Sequence, residues 1–457
     1  MSKQFRDWSA NQQWLFPPSP QDWLPEGHLV YLILDVVGDL DISSILAHYE
    51  KSPQGQPPFN PRMMLALLFY SYCSGVLSSR KIMQRCEDHA AFRIIVASDI
   101  PNFRTISDFR KIHFESFQTL FVEVVKLCGE AGLVQLGQLA LDGTKIKANA
   151  SRHKAMSYDR MAAEEQRLQQ EIADLMAQAA AADAAEDAQH GAHRRGDELP
   201  EELRRRESRL AKIKDAKRRL EERARAAAQA KADELAAQGK TPMVDPQTVL
   251  PEPQDQINFT DPESRIMKTS NKGWDQCGNA QAVVSADQVI VACDVTDQAN
   301  DVQQVEPLLE QLQENLQAMG SSVLTSDDIP TVRPALLGDA GYYSESNTQA
   351  IEAAGLDPFL ATQRLKHHER LPDEDDNATC NNSDLTPKQQ MAKKVRSKRG
   401  RETYSRRKVM VEPVFGQIKG VRGIRQFSMR GMKKMRGEWA LICLTHNLLK
   451  LFRAQTA

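Results

Sequence analysis

Residues 157–239 restrict this chain's possible folds more than any other stretch. They are rich in Ala, Glu, Arg and Gln, all strong helix formers. Apolar side chains recur at helical spacing: Met161, Leu168, Ile172 and Leu175 in the first half, Leu203, Leu210, Ile213 and Leu220 at a/d spacing in the second. Between the halves, HGAHRRGDELP carries Gly191, Gly196 and Pro200, which break a helix. Two stripes joined by a short loop can bury each other, so the expected unit is an antiparallel coiled-coil hairpin. Strand-like runs lie on both sides of it, so the hairpin reads as an insertion and the first strand must find its sheet beyond it.

That first strand lies within LVQLGQLALDGTKIKANAS, Leu133 to Ser151, and runs straight into Asp142. A carboxylate at the tip of an apolar strand is costly to desolvate without a cation, a capping amide or a metal. After the insertion comes the Pro-rich TPMVDPQTVLPEPQDQ, then strands GNAQAVVSA and VIVACDVT around a turn at Asp287 and Gln288. There follow a helix from about Asp301 to Met319, the strand PALLGD ending in Asp339, a helix near Glu345 to Ala354, and the strand PFLATQ. Leu365 to Gly400 is polar enough to read as a loop, and two helices, around 404–418 and 433–452, close the chain. A hairpin followed by strand–helix alternation predicts an α/β fold, a mixed sheet with helices on its faces.

Residues 1–130 read as all helical. PFNPRMMLALLFYSYCSGV is an apolar helix opened by Pro61, and SSRKIMQRCEDHAAFRIIV is an amphipathic one. TISDFRKIHFESFQTLFVEVVKLCGEAG is capped by Thr105 with Asp108, and Ile106, Phe109, Ile112, Leu120, Val124 and Leu127 share a face. Arg80, Lys81, Arg85, Arg104, Arg110 and Lys111 suit a helix-turn-helix-like DNA reader or a bundle with a solvated basic face.

The net charge of −2 hides segregation. Lys388 to Arg436 holds 17 Lys and Arg against Glu402 and Glu412, whereas Asp373 to Asp376 is an acidic block. No apolar run approaches the ~18 residues of a membrane span, and the N-terminus has no secretory core, so a cytoplasmic location and no membrane partner are expected. The seven cysteines are scattered without a C-x-x-C pair and read as reduced and structural.

Three acids stand out: Asp142 and Asp339 at strand ends, and Glu412 in the helix RRKVMVEPVFGQIKG. Strand ends on one sheet edge can bring two aspartates together, and a helix packed there can deliver the glutamate. Three clustered anions repel unless divalent cations neutralise them, and hard oxygen donors suit Mg²⁺ or Mn²⁺. Asp294, Asp297 and Glu345 are competitors, the first two ending the VIVACDVT strand. The NAQAVV strand and the Asp294 region read as serving the sheet. Lys145 and Lys147, just past Asp142, could meet DNA phosphate.

LALDGTKIKANAS, TDPESRIMKTSNKGWDQCGNAQAVVSADQVIVACDVTDQANDVQQVEPLLE, LLGDAGYYS, RRKVMVEPVFGQIKGVRGIRQFSMRG and EWALICLTHNLLKL, in that order, resemble the landmarks of a DDE-type insertion-sequence transposase with an RNase H-like core. The helical front, with FNPRMMLALLFYSYCSG and NFRTISDFRK, shares the resemblance. It implies catalytic and metal-binding roles for Asp142, Asp339 and Glu412, two Mg²⁺ ions (Mn²⁺ as substitute), and cleavage and strand transfer. The implied partners are double-stranded element ends with terminal inverted repeats, target DNA, and a second copy in a homo-oligomer, a dimer. It also implies a DNA-binding domain at 1–130, a catalytic domain of 131–156 and 240–457, and the inserted hairpin at 157–239. On its Glu helix the family carries a Tyr, an Arg four residues before the Glu and a Lys seven after. Lys419 fits, Lys408 holds the Arg position beside Arg407, and Tyr404 is one residue early. Arg104, Arg110, Lys145, Lys147, Tyr404, Arg407, Lys408 and Lys419 are the expected DNA contacts. The alternatives are a catalytically inactive DNA-binding regulator, a coiled-coil assembly protein, and an RNase H-like nuclease without strand joining.

Overall fold

The computed structural model of the chain describes residues 19–50, 57–97, 99–190, 201–237, 239–241, 244–269, 273–320, 333–363 and 385–456. The acidic block at Asp373 to Asp376, Cys380 and the Gly191 to Pro200 break lie outside them.

Among the described residues, seven α-helices come first: α1 (Leu29–Asp39), α2 (Ser43–Glu50), α3 (Pro61–Cys73), α4 (Ser79–Asp88), α5 (Ala90–Val96), α6 (Phe103–Ile112) and α7 (Ser116–Glu130). Helix α3 starts where the sequence places it, with Pro61 in its first turn and Asn60 Oδ1 accepting the Arg62 N–H at 2.8 Å. Two expected single helices are each broken. His89 is extended between α4 and α5, and residues 113–115 separate α6 from α7. The cap of α6 is Asn102, which takes the Arg104 N–H at 2.9 Å, rather than Thr105. Ile112, six residues and so about 240° round the helix from Ile106, leaves the shared face and is 48% exposed.

The central strand is β1 (Gln138–Lys147). It runs antiparallel to β5 (Trp274–Ser285), with Asp142 opposite Ala282, and parallel to β7 (Ala335–Gly338), with Leu141 opposite Gly338. Strand β8 (Asp357–Leu360) adds parallel to β7, and β6 (Ile290–Thr296) adds antiparallel to β5. The order β6-β5-β1-β7-β8 is therefore a mixed sheet, as expected. The short β4 (Arg265–Lys268), not foreseen, pairs with the start of β5. Between β1 and β5 in sequence lie β2 (Ala155–Ser157), α8 (Tyr158–His190), α9 (Glu201–Ala237) and β3 (Gln256–Asn258). β2 and β3 form a separate two-stranded ribbon beneath the helix pair. The helices are antiparallel: Arg206 meets Glu171 at 2.9 Å, Arg209 meets Glu164 at 2.7 Å and Lys217 meets Glu165 at 3.1 Å. Met161, Leu168, Ile213, Ala216 and Leu220 bury one another with Ile257, as a core of their own.

The remaining helices are α10 (Val305–Ala318), α11 (Glu345–Ala353), α12 (Pro387–Arg396), α13 (Lys398–Gly416) and α14 (Met432–Thr456). Part of the expected basic loop is thus helical. α12 opens with a Thr386–Gln389 capping box and buries Met391, and Ser397 both ends it and caps α13. The α12–α13 corner needs Gly400, since a Cβ there would stand 1.9 Å from the Lys394 carbonyl oxygen.

Alternation along the strands assigns the two faces. Leu139, Leu141 and Leu336 join the large core with α3, α7, α10 and α14, while Ala140, Ala335 and Leu337 pack with Met410 and Val411 of α13. The large core is continuous from the helical front to the sheet through α14, whose Trp439, Leu441, Ile442, Leu444 and Leu448 are buried. Glu438 of α14 is buried in that seam. It accepts from Tyr72 Oη at 2.9 Å, Ser428 N at 2.9 Å and Met429 N at 3.0 Å, and Tyr72 Oη also receives Arg110 at 3.0 Å.

Candidate functional site

The side-chain parity that turns Ala140 and Leu337 toward α13 also governs the next position along each strand. Asp142 therefore follows Ala140 onto the α13 face, and Asp339, one residue past β7, follows Leu337. Asp142 does not end its strand as expected, since β1 runs on to Lys147; it stands midway along β1, level with Asp339 just past the carboxyl end of the adjacent parallel β7, under one helix. Asp142 Oδ2 accepts from Arg407 Nη1 of α13 at 2.8 Å, and its Oδ1 takes the Gly143 N–H at 2.8 Å. Burial pushes its carboxyl above the usual carboxylate value and the charge of Asp339 adds to this, while Arg407 and the Gly143 N–H oppose the shift. Asp339 Oδ1 accepts the Gly341 N–H at 2.7 Å.

A third carboxylate, which the sequence did not single out, belongs to this neighbourhood. Asp301 Oδ1 accepts from Asn279 Nδ2 at 2.6 Å and Gln281 Nε2 at 2.9 Å, and Lys145 Nζ lies 3.4 Å away. Tyr342, fully buried just past Asp339, donates its hydroxyl to Gln281 Oε1. Burial first, and then the charges of Asp301, Asp142 and Asp339, push the Tyr342 phenol far up. Asn279 and Gln281 of the NAQAVV strand therefore brace the acidic centre as well as the sheet. The signal was present: two polar side chains two residues apart in an otherwise apolar strand share one face.

Glu412 is exposed on α13, turned away from the aspartates. Its position follows from helix geometry. Arg407 reaches Asp142, and the residue four further on, Val411, is fully buried against the sheet. Glu412 is rotated about 100° beyond Val411, toward solvent. Lys408 is exposed, so Arg407 and not Lys408 is the cation at Asp142. Tyr404 is half-buried and hydrogen-bonds Arg407, and burial raises its phenol. Lys419 returns to β1, donating to Thr144 Oγ1 and to the Lys145 carbonyl at 2.8 Å. Burial pulls the ammonium groups of Lys419 and Lys145 down. Lys147 pairs with Asp275 at 2.8 Å.

Among the front cations, Arg104 is exposed beside Phe103, over whose ring Arg80 also lies at 5.0 Å. Arg110 does not belong on an accessible face: it is buried, bonded to Tyr72 and the Leu77 carbonyl at 3.0 Å each. Asp294 pairs with Arg436 at 3.0 Å and Asp297 with Arg265 at 2.6 Å, so both are tied to structure. Helix α13 carries Pro413 in its interior, which leaves the Val409 carbonyl without its helical donor. Gln288 Nε2 supplies one at 3.0 Å from the β5–β6 turn. Among the described residues no three His, Cys, Asp or Glu stand close enough to hold a metal ion, and no helix is long and apolar enough to cross a membrane.

The fold and this centre define a class: α/β proteins with carboxylates on neighbouring parallel strands beneath a helix rich in cations. Comparison with protein families agrees with that class. The family described as Transposase domain (DUF772) matches residues 18–112, and the one described as Transposase DDE domain matches residues 243–448. The chain belongs to the DDE-type insertion-sequence transposases and is a DNA transposase. Asp339 and Glu412 fall inside the second match and Asp142 outside both. No curated protein and no solved structure matches.

Proposed function

We propose that this transposase cuts phosphodiester bonds at the double-stranded ends of its element and joins the freed 3′ ends to target DNA, with Asp142, Asp339 and Glu412 holding two Mg²⁺ or Mn²⁺ ions. The observation that carries the reading is the placement of Asp142 on β1 and Asp339 just past the neighbouring parallel β7, side by side and facing α13. The residues suit a hard cation. All the donors are carboxylate oxygens, and Gly341 carries no Cβ, which would crowd Asp339 Oδ1 at 2.9 Å. When bound, such ions would neutralise the carboxylates and polarise the reacting phosphate. The strand order and the two parallel strands after the antiparallel trio support an RNase H-like core.

The chain's own cations have separable tasks. Arg407 favours the charged form of Asp142 against the effect of burial and is placed to meet a phosphate entering the centre. Lys419 and Lys145 fix the edge of β1, with Lys147 and Lys408 outside them. The basic α12–α13 corner follows the DNA backbone, and the front, through Arg104 and its Phe103 neighbour, binds terminal DNA as a domain of residues 1–130. Glu412 reaches the aspartates when DNA is bound, and a dimer engages two ends.

The test is incubation with element ends, target DNA and Mg²⁺, with products mapped at nucleotide resolution. Asp142→Asn, Asp339→Asn and Glu412→Gln are expected to abolish cleavage and keep end binding, while Asp294→Asn and Asp297→Asn cut. Near wild-type cutting by a folded Asp339→Asn protein refutes the assignment. Cleavage without joined product would make the chain a nuclease, and binding without cleavage a regulator.

A further inference from the structure

Asp301 has two unlike oxygens. Its Oδ1 is fixed by the side chains of Asn279 and Gln281, both fully buried, and by Lys145. Its Oδ2 lies 3.4 Å from the point where a Cβ on Gly341 would stand, and Asp339 Oδ1 lies 2.9 Å from that same point. Gly341 does not adopt a left-handed conformation, so the backbone does not demand a glycine there. What its missing side chain permits is the convergence of two carboxylate oxygens on one point, where a Cβ would crowd Asp339. The segments bearing them are tied together: Asn347 Nδ2 bridges the Val302 carbonyl at 2.7 Å and the Tyr342 carbonyl at 2.8 Å. Tyr342 is in turn joined through Gln281 to Asp301.

Two anions locked across a gap repel unless a cation enters it, and oxygen donors held rigidly around a small space favour a hard divalent ion. Lys145 reaches the other oxygen of Asp301, Oδ1, at 3.4 Å, and its charge offsets only part of the repulsion between the two aspartates. Glu412 is exposed on α13 and outside this set. We propose that Asp301 is a further carboxylate of the acidic centre, receiving a divalent cation with Asp339 across Gly341 before DNA binds. This rests on the reading of Asp339 as a cation-holding residue given above.

The experiment is titration of the DNA-free full chain with Mn²⁺, followed by electron paramagnetic resonance of the free ion, with circular dichroism to verify folding. Asp301→Asn is expected to weaken binding about tenfold or more, the scale on which even outer-shell partners act. Gly341→Ala should weaken it similarly while retaining every carboxylate, and Asp294→Asn, whose carboxylate is paired with Arg436 away from the centre, should stay within about twofold of wild type. Wild-type affinity in folded Asp301→Asn and Gly341→Ala proteins, alongside loss in Asp339→Asn, overturns the role of Asp301 and leaves the proposed function standing. Failure of the wild-type protein to bind Mn²⁺ without DNA also overturns the inference. Unchanged affinity in Asp339→Asn removes the cation-holding reading itself.

Discussion

The Arg407–Asp142 pair offers a quantitative test of the centre's electrostatics. The two side chains are 15% and 23% exposed and meet at 2.8 Å. At an effective dielectric of about 20 the attraction of unit charges ~4 Å apart is roughly 4 kcal/mol. Desolvation of both partners and residual solvent screening reduce the net worth of such a pair to about 2 kcal/mol. A double-mutant cycle of Arg407→Ala and Asp142→Asn, read by urea unfolding, should therefore give a coupling near 2 kcal/mol at neutral pH. The sign of its pH dependence is fixed. Asp142 has its folded pKa raised above 3.8, mainly by burial, so its ionised form costs stability as pH rises through the raised value. Arg407 offsets that cost only when Asp142 is charged. The coupling should shrink as pH falls toward the ordinary carboxylate range and vanish once Asp142 is protonated in both states. A coupling below about 0.5 kcal/mol at neutral pH, or one that does not change on acidification, refutes this account.

Glu438→Ala should destabilise the protein by about 3–5 kcal/mol in urea unfolding, because it strips buried Tyr72 Oη and two backbone N–H groups of their acceptor; a loss under about 1 kcal/mol contradicts it. Lys398→Gln with Arg399→Gln should flatten the salt dependence of DNA binding by about one log–log unit for each phosphate no longer neutralised. Lys394→Gln should leave that slope alone, because Lys394 is engaged by Asp357 and by the Phe359 ring at 4.6 Å; equal slopes for all three proteins would refute the assignment. Replacing residues 175–203 by a short Gly-Ser loop should leave a protease-resistant chain, since the helix-pair core is separate from the large one; rapid digestion of the sheet would contradict this.

Much of the architecture was legible because it rests on local pattern. The apolar runs before Asp142 and Asp339 became β1 and β7, although β1 continues past Asp142 to Lys147, and the stripes of 157–239 became two facing helices. The α4–α5 and α6–α7 breaks were not legible, since apolar periodicity continues through His89 and His113 and only tertiary packing decides where the chain turns. α12 was hidden for the opposite reason: it buries only Met391, and it is held by caps, by the Gly400 corner and by contacts of Lys394 and Val395 with residues distant in sequence. Asp301 was missed because its environment is assembled from β1 and β5, far away in sequence. Arg110 was misjudged because its basic side chain looks the same in sequence whether it meets solvent or a buried phenol.

The β2–β3 ribbon bears on how the chain finds its sheet. Strands β1 and β5 pair with Asp142 opposite Ala282, a separation that carries a slow, entropically expensive search if the intervening chain is free. The ribbon pairs Ala155 with Asn258, and the helix pair between them closes through contacts near in sequence. Once that local unit has formed, the loop left to close between the two central strands is short. For the kinetics of sheet assembly, a long insertion then behaves as a tight turn, and its length can drift without slowing the nucleation of the strand pair on which Asp142 stands.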